Sequence, residues 1–498
     1  MATVGAVLTV VVGVGVYVEY ERLVGNVHSV NVGDLTGRTI YGAQNILVLG
    51  SQERQGQKGD FGYEANPWTT NSDNLLVIHL NPTHTRATVL SIPRDTMVYE
   101  PACKARIRKI GIGLQGPYQS TIIDGALNIG GPTCAVETVA DLTGIKFDHF
   151  VEFDFNSFRD IVDAIDGVNV CIPKGGYHDP NSHVNLTAGM HHIDGAEALA
   201  LVRTRDTLQD GTDTGGDLPR IEVQQAFMED VMLKVAHMHL FDPSNALTLL
   251  RVAGIATKAL TVDKGLGTTS ALTSMAKSLV GLRASNVTML TMPNMFDPSN
   301  NDRLLPEEPE ADAIFSMVSA GKTWRGHLPL IKPARIKVRV LNGTGIGGLA
   351  GRTATALRKL GFDVVGVGDA GPTASTTVSY YGIASADEAY TLMASLKSFA
   401  HGQQPQAQNL LTEPTPQGGH YGTITLTLGD DYASFPVDAP AAHSVTETSK
   451  GTHAKKGKGS GTSGTDQVAA ATANPSTGPG AVESRSGTEN ICDGLPLG

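Results

Sequence analysis

Two aspartates and a scatter of arginines carry the chemistry legible in this sequence. Asp73, in SDNLLVIHL, and Asp95, in SIPRD, bracket two apolar runs, LLVIHL (75–80) and TVLSI (88–92), with NPTHTR between them. Short apolar runs joined by turn residues read as a β-hairpin. Centred on His84, that hairpin makes Asp73 and Asp95 facing partners at its open end, with Cβ atoms about 5 Å apart. Two carboxylates that close repel each other unless a cation lies between them, and a hard, oxygen-seeking ion such as Mg²⁺ is the natural one. The plainer alternative is that each aspartate caps a turn or pairs with an arginine.

The arginines bear on that choice. Arg94 adjoins Asp95, and Arg203 and Arg205 flank Thr204 in VRTRD (202–206). On a helix, residues two apart point roughly 200° away from each other, so Arg203 and Arg205 reach one site only if the helix ends near 203. Arg220 is expected to begin a long helix, where free N–H groups favour an anion. Gln224 lies four residues on, on the same face. Acids suited to a metal together with several arginines make a pyrophosphate clamp, because guanidinium grips phosphate oxygens in a bidentate fork. Singly, each arginine is equally compatible with a surface salt bridge.

These residues need a scaffold. NILVLG (45–50) reads as a strand ahead of the hairpin, and helical segments are expected around 120–129 and 132–142, split by Gly130, Gly131 and Pro132. A strand at FVEF (150–153), a helix at 156–165 and a strand at VNVCI (168–172) continue an α/β pattern. Asp194 and Glu197 have capping-box spacing for a helix through Leu201. In the long helix Ile221, Met228, Met232 and Val235 mark an apolar stripe, with Val231 beside it. A second domain is expected over 334–430, from the strand IKVRVLN (336–342), the helix LAGRTATALRKLG (349–361) and the strand FDVVGVG (362–368). Its GTGIGG (343–348) imitates a dinucleotide fingerprint, but too little chain follows for a doubly wound sheet, and the glycines read as a tight turn into the helix.

The chain of 498 residues is too long for one core. Its formal charge of −11 gives no domain-wide basic field, so nucleic acid is not an expected partner. Residues 2–18 are uncharged and apolar, about 25 Å long as a helix, and no small-residue cleavage site follows. Residues 1–20 are therefore expected to be a transmembrane signal anchor, with 21–44 a linker and the bulk of the chain extracytoplasmic. Outside the cytoplasm, Cys103 and Cys134 in one domain favour a disulfide. Cys171 reads as either a bonded cysteine or a small buried hydrophobe. Beyond 437 the Ser-, Thr-, Gly- and Lys-rich stretch to 498 cannot bury enough surface to fold alone.

Taken in order, NILVLGSQER, SDNLLVIHLNP, SIPRD, LTGI…DHFVEFDFNSF, IDGVNVCIP, HHIDGAEALALVRTRD and DLPRIEVQQAF resemble the LytR-CpsA-Psr family of cell-wall glycopolymer ligases. The likeness is close over about 45–240 and continues loosely to 325. The segment from VRVLNGTGIGG onward resembles the LytR C-terminal domain of actinobacterial members. The resemblance implies an α/β sandwich over 45–325, with a mixed central sheet beside an apolar lipid pocket, plus a small α/β C-terminal domain. It implies Mg²⁺-assisted transfer of a glycosyl phosphate from a polyprenyl-pyrophosphate carrier to peptidoglycan, at the cell membrane. Carried over by motif, Asp73 and Asp95 would hold the metal. Arg94, Arg203, Arg205, Arg220 and Gln224 would bind the pyrophosphate, with Arg54 at the entrance.

The sequence departs from the family pattern in places. Gln52 stands where Asp is frequent, Asn71 replaces Arg, Asn74 replaces Thr, Ile122 replaces Lys, Asp124 replaces Asn and Val223 replaces Arg. Three positive charges of the expected clamp are absent. Two other functions use the same residues: a non-catalytic protein that binds lipid-linked glycan or wall polymer, and a pyrophosphatase with water as acceptor.

Overall fold

The structure is a computed structural model. It describes residues 27–432 apart from 33–34, 36–41, 52–70, 101–102, 105–113, 116–117, 205–216, 241, 281, 329, 397–404 and 411–421, together with 484–486. The expected anchor and linker therefore lie largely outside the described residues. Among the described residues no helix is long and apolar enough to cross a membrane.

The chain divides into two units, Met1–Trp324 with Arg485–Gly498, and Arg325–Ser484. The first is built on an eight-stranded mixed sheet. Its strand order is His28–Val30, Leu260–Asp263, His149–Phe153, Gln44–Ser51, Ser72–Leu80, Ala87–Ile92, Val287–Thr291 and Ser484–Ser486. The central hairpin is antiparallel, whereas Gln44–Ser51 runs parallel to His149–Phe153 and Ala87–Ile92 runs parallel to Val287–Thr291. Every residue of Ala87–Ile92 is buried, which is why the central strands read as near-continuous apolar runs rather than as alternation. On one face Ile46, Leu76, Val89 and Met289 pack with Met228 and Met232 of the helix Asp217–His237. Val231 and Val235 of that helix turn to a different cluster around Val168, Val170, Leu201 and Phe227. The expected apolar stripe is thus shared between two cores.

One segment here differs from the sequence expectation. The stretch before 126 is a strand, Tyr118–Ile122, followed by a single 3-10 turn over Ile123–Gly125. Over Ala126–Thr143 two helical segments meet at a kink, where Gly131 is non-helical at φ 71°, ψ −162° ahead of Pro132. Gly131 supplies a positive φ that no helical residue adopts and Pro132 starts the second segment, so the breakers divide the helix where the sequence places the split.

The second unit carries a five-stranded sheet in the order Asp363–Asp369, Lys337–Asn342, Thr423–Leu428, Thr377–Tyr380 and Gln406–Asn409. The helix Leu349–Lys359 follows the glycine turn, where Gly348 has φ 70°. Within the expected tail, Ser484–Ser486 form a strand of the large sheet, and the rest of 433–498 lies outside the described residues.

Candidate active site

The hairpin register decides which groups meet. Leu75 pairs with Ile92, Leu76 with Ser91 and Leu80 with Ala87. Continued outward, that register sets Asp73 opposite Arg94, not opposite Asp95. The cause lies in the turn. Asn81 Oδ1 accepts from the N–H groups of both Thr85 and Arg86, and the second strand starts at Ala87, so the centre falls short of His84. A one-residue slip exchanges every facing partner. The expected Asp73–Asp95 pairing is corrected to an ion pair in which Arg94 Nη1 donates to Asp73 Oδ1 at 2.5 Å. Arg94 Nε lies 3.6 Å from Asp95 Oδ2.

A β-bulge presents Asp73. Gly50 pairs with Asn74 but Ser51 pairs with Ser72, which leaves Asp73 as the extra residue on its strand. Bulges of this kind re-aim a side chain that regular pleating would place elsewhere. The loop carrying Arg94 and Asp95 is held from several sides. Thr96 donates to Pro93 O, Leu304 N–H donates to Asp95 O, and Asp124 N–H donates to Arg94 O at 3.3 Å.

Asp124 is a third carboxylate behind this pair. Its Oδ2 accepts from Asn71 Nδ2 at 3.2 Å, while its buried Oδ1 has no hydrogen-bond partner among the described residues. Burial pushes its carboxyl up to about 6; the Arg94 charge pulls it down, and Asp95 and Asp73 raise it further.

A cavity of about 390 Å³ opens beside Asp73 and Arg94. The capping box on Asp194 and Glu197 starts the helix Gly195–Val202, which ends where the two-arginine geometry requires. Arg203 stands just past that end, its guanidinium 4.8 Å over the Phe155 ring. The long helix begins at Asp217, not at Arg220. Arg220 thus sits inside the first turn, 3% exposed, and lines the cavity. Gln224, one turn on, also lines it and donates to Val202 O at 3.0 Å, tying the two helices together. Phe153, Phe158 and Phe227 supply an apolar wall, with ring centroids 6.3 and 5.5 Å apart in succession.

Asp73, Arg94, Arg203, Arg220 and Gln224 therefore share one cavity, with Asp95 adjoining through Arg94. Arg54 and Arg205 lie outside the described residues. Among the described residues, no group of three or more His, Cys, Asp or Glu is arranged to hold a metal ion. Two carboxylates beside a phosphate-sized cavity still match Mg²⁺ chemistry, since that ion takes one or two protein carboxylates and completes its shell with phosphate oxygens and water. Cys134 and Cys171 are each disulfide-bonded. The side chain of Cys103, on the strand Cys103–Lys104, lies outside those described. Asp124, Asp179 and Ser182 were not singled out by sequence as site residues; the Asp-Pro-Asn-Ser turn signal at 179–182 marks the last two.

The model of the LytR_cpsA_psr family matches residues 20–318, and the model described as LytR cell envelope-related transcriptional attenuator matches residues 335–432. The cell wall biosynthesis protein LcpA of Corynebacterium glutamicum is 26% identical over 378 residues, covering 67% of this chain and 68% of that one. The polyisoprenyl-teichoic acid–peptidoglycan teichoic acid transferase TagU of Oceanobacillus iheyensis is 30% identical over 198 residues, covering 39% of this chain and 52% of its own. The chain thus spans about two thirds of the first relative and about half of the second. Among solved structures, a LytR-Csp2A-Psr enzyme from Actinomyces oris aligns with a TM-score of 0.46 at 21% identity, over 59% of this chain and 96% of the other.

Proposed function

The chain belongs to the LytR-CpsA-Psr family, and from that premise we propose that it transfers a glycosyl phosphate from a polyprenyl-pyrophosphate carrier to a peptidoglycan hydroxyl. The observation that carries this reading is the cavity itself, which Arg203, Arg220, Gln224, Asp73 and Arg94 line together with the rings of Phe153, Phe158 and Phe227. Guanidinium groups in a partly apolar site hold phosphate oxygens far more firmly than they would in water. TagU, named as a teichoic acid transferase acting on peptidoglycan, carries out a transfer of the same kind.

Within this reading, Arg203 and Arg220 grip the pyrophosphate, and Gln224 holds the end of the arginine-bearing helix in place. Met228 lines the cavity and also packs on the sheet cluster, beside the partly buried Met232, Met275 and Leu282. These side chains are where the polyprenyl tail would lie. The acceptor oxygen attacks the sugar-linked phosphorus, the bond from that phosphorus to the bridging oxygen breaks, and polyprenyl phosphate leaves. The hydroxyl proton departs to that phosphate or to water. Asp73 and Asp95 would hold Mg²⁺, which when bound neutralises charge on the transferring phosphoryl group. Arg94, which lines the same cavity, would also offer its guanidinium to phosphate oxygens.

The same proposal places the chain in the cell membrane by its N-terminal segment, with the catalytic unit outside. Disulfide bonding of Cys134 and Cys171 supports an oxidising compartment. The test is an assay of the full-length chain in detergent with a short polyprenyl-pyrophosphate glycan and peptidoglycan fragments, with and without Mg²⁺. Metal- and acceptor-dependent release of polyprenyl phosphate, lost in Asp95→Ala, supports transfer. Release that ignores the acceptor indicates a pyrophosphatase, and tight lipid binding without release indicates a binding protein.

A further inference from the structure

The cavity has one wall that neither the motif pattern nor the arginine clamp explains. Two short antiparallel strands, Tyr177–Asp179 and Val184–Leu186, form a hairpin whose turn carries Asn181 and Ser182. Asp179, Asn181 and Ser182 all line the cavity. The turn is built around Asp179, which is 1% exposed. Its Oδ1 accepts from Asn181 N–H at 2.7 Å and Ser182 N–H at 3.3 Å, and its Oδ2 accepts from Thr204 Oγ1 at 3.2 Å. Thr204 follows Arg203 directly, so one buried carboxylate fixes both the turn and the chain that presents the arginine. Tyr177, Val184 and Leu186 anchor the hairpin in the core shared with Leu201 and Val223. His183 closes the turn at φ 64°, a left-handed conformation uncommon outside glycine.

Within this rigid frame Ser182 stands apart. The residue is 5% exposed, and its Oγ has no hydrogen-bond partner among the described residues. A buried hydroxyl without a partner costs stability, and in a folded protein it asks for an explanation. Its place on the wall of a cavity lined by Arg203 and Arg220 supplies one, because a phosphate oxygen entering there is the acceptor the hydroxyl lacks.

We propose that Ser182 is a donor-contacting residue, its hydroxyl donating to an oxygen of the pyrophosphate held by Arg203 and Arg220. This rests on the reading of the cavity as a pyrophosphate site. The turn then acts as a preorganised lip that Asp179 holds in register with the arginines. A hydroxyl carried on a turn fixed in this way contributes more than a surface serine, since the backbone that presents it is settled before the ligand arrives.

The probe is farnesyl pyrophosphate, which joins an isoprenoid tail to a pyrophosphate, titrated calorimetrically into the full-length chain in detergent, with farnesol as the phosphate-free comparison. The expected result is binding by the unaltered chain, about tenfold weakening in Ser182→Ala, and near-normal affinity in Ser182→Thr, which keeps the hydroxyl. Farnesol affinity is expected to stay the same in all three, which a distorted cavity would not allow. Pyrophosphate binding that Arg220→Ala weakens while Ser182→Ala leaves it unchanged overturns the inference and spares the site reading. Equal loss of farnesol and farnesyl pyrophosphate in Ser182→Ala overturns it as well, in favour of a structural role. Absence of pyrophosphate binding in the unaltered chain overturns both.

Discussion

Arg94 reaches Asp73 at 2.5 Å with one nitrogen and stands 3.6 Å from Asp95 with another, so a guanidinium lies between the two acids that the hairpin pattern pairs with each other. With both side chains of the Asp73–Arg94 pair at least four-fifths buried, the pair is screened far less than a surface salt bridge. The resident cation on Asp73 is thus a side chain, and a divalent ion has to compete with it.

Removing that competitor separates metal binding from turnover. In Arg94→Gln, Mg²⁺ affinity measured calorimetrically without donor should rise by about tenfold, since a positive charge beside both carboxylates is lost. Transfer should fall on the order of 100-fold, because Arg94 no longer meets the phosphate. A fall in both quantities together would contradict the competition.

Asp73→Asn leaves the largely buried Arg94 with its closest acceptor neutralised. Transfer is expected to fall by roughly 100- to 1,000-fold. The melting temperature should drop by several degrees, consistent with the loss of about 1–3 kcal/mol for a weakened charged hydrogen bond. Calorimetric melting beside the activity assay checks both.

Asp124 offers a pH signature. Burial raises its folded pKa to about 6, above the 3.8 of an exposed aspartate. Ionising it in the folded chain therefore costs stability, and the cost begins as pH rises past 3.8 and is complete above about 6. Asp124→Asn keeps an acceptor for Asn71 and removes that cost. It should stabilise the protein at pH 7.5 by on the order of 1–2 kcal/mol and have little effect at pH 4. Equal stabilisation at both values would count against the assignment.

Glu310 shows the same sign over a wider window. Burial, reinforced by Glu307, pushes its carboxyl up to about 8 from 4.5. Stability from this group is lost progressively between those values, so Glu310→Gln should raise the melting temperature most at pH 8–9 and flatten its decline with pH. A parallel shift at every pH would rule this out.

Gly195 opens the helix that leads to Arg203. A Cβ there would lie 2.3 Å from the backbone oxygen of Arg159, which no rotamer change relieves. Gly195→Ala should cost about 2–4 kcal/mol, as overpacking against backbone does. Any folded fraction should bind farnesyl pyrophosphate more weakly, because the helix has to shift to make room.

Much of this molecule is legible in one dimension. The apolar runs of the central hairpin, the Asp194–Glu197 capping box and the end of the helix before Arg203 follow from local spacing, and local hydrogen bonds and side-chain period enforce them. The gathering of Asp73, Arg94, Arg203, Arg220 and Gln224 came from motifs in a fixed order, and the cavity contains all five. The identity of the facing partners was not legible. It depended on Asn81 holding two N–H groups in the turn and on a bulge at Asp73 set by pairing with another strand. Asp124 and Ser182 were hidden for a related reason. Each is one polar residue in its own segment, and each becomes chemically distinctive only when distant chain buries it and leaves an oxygen without a partner. Sequence alone determined most of the elements and the set of charged groups, because those depend on near neighbours. Tertiary structure alone decided which charge faces which, because register, bulges and burial arise where distant segments meet.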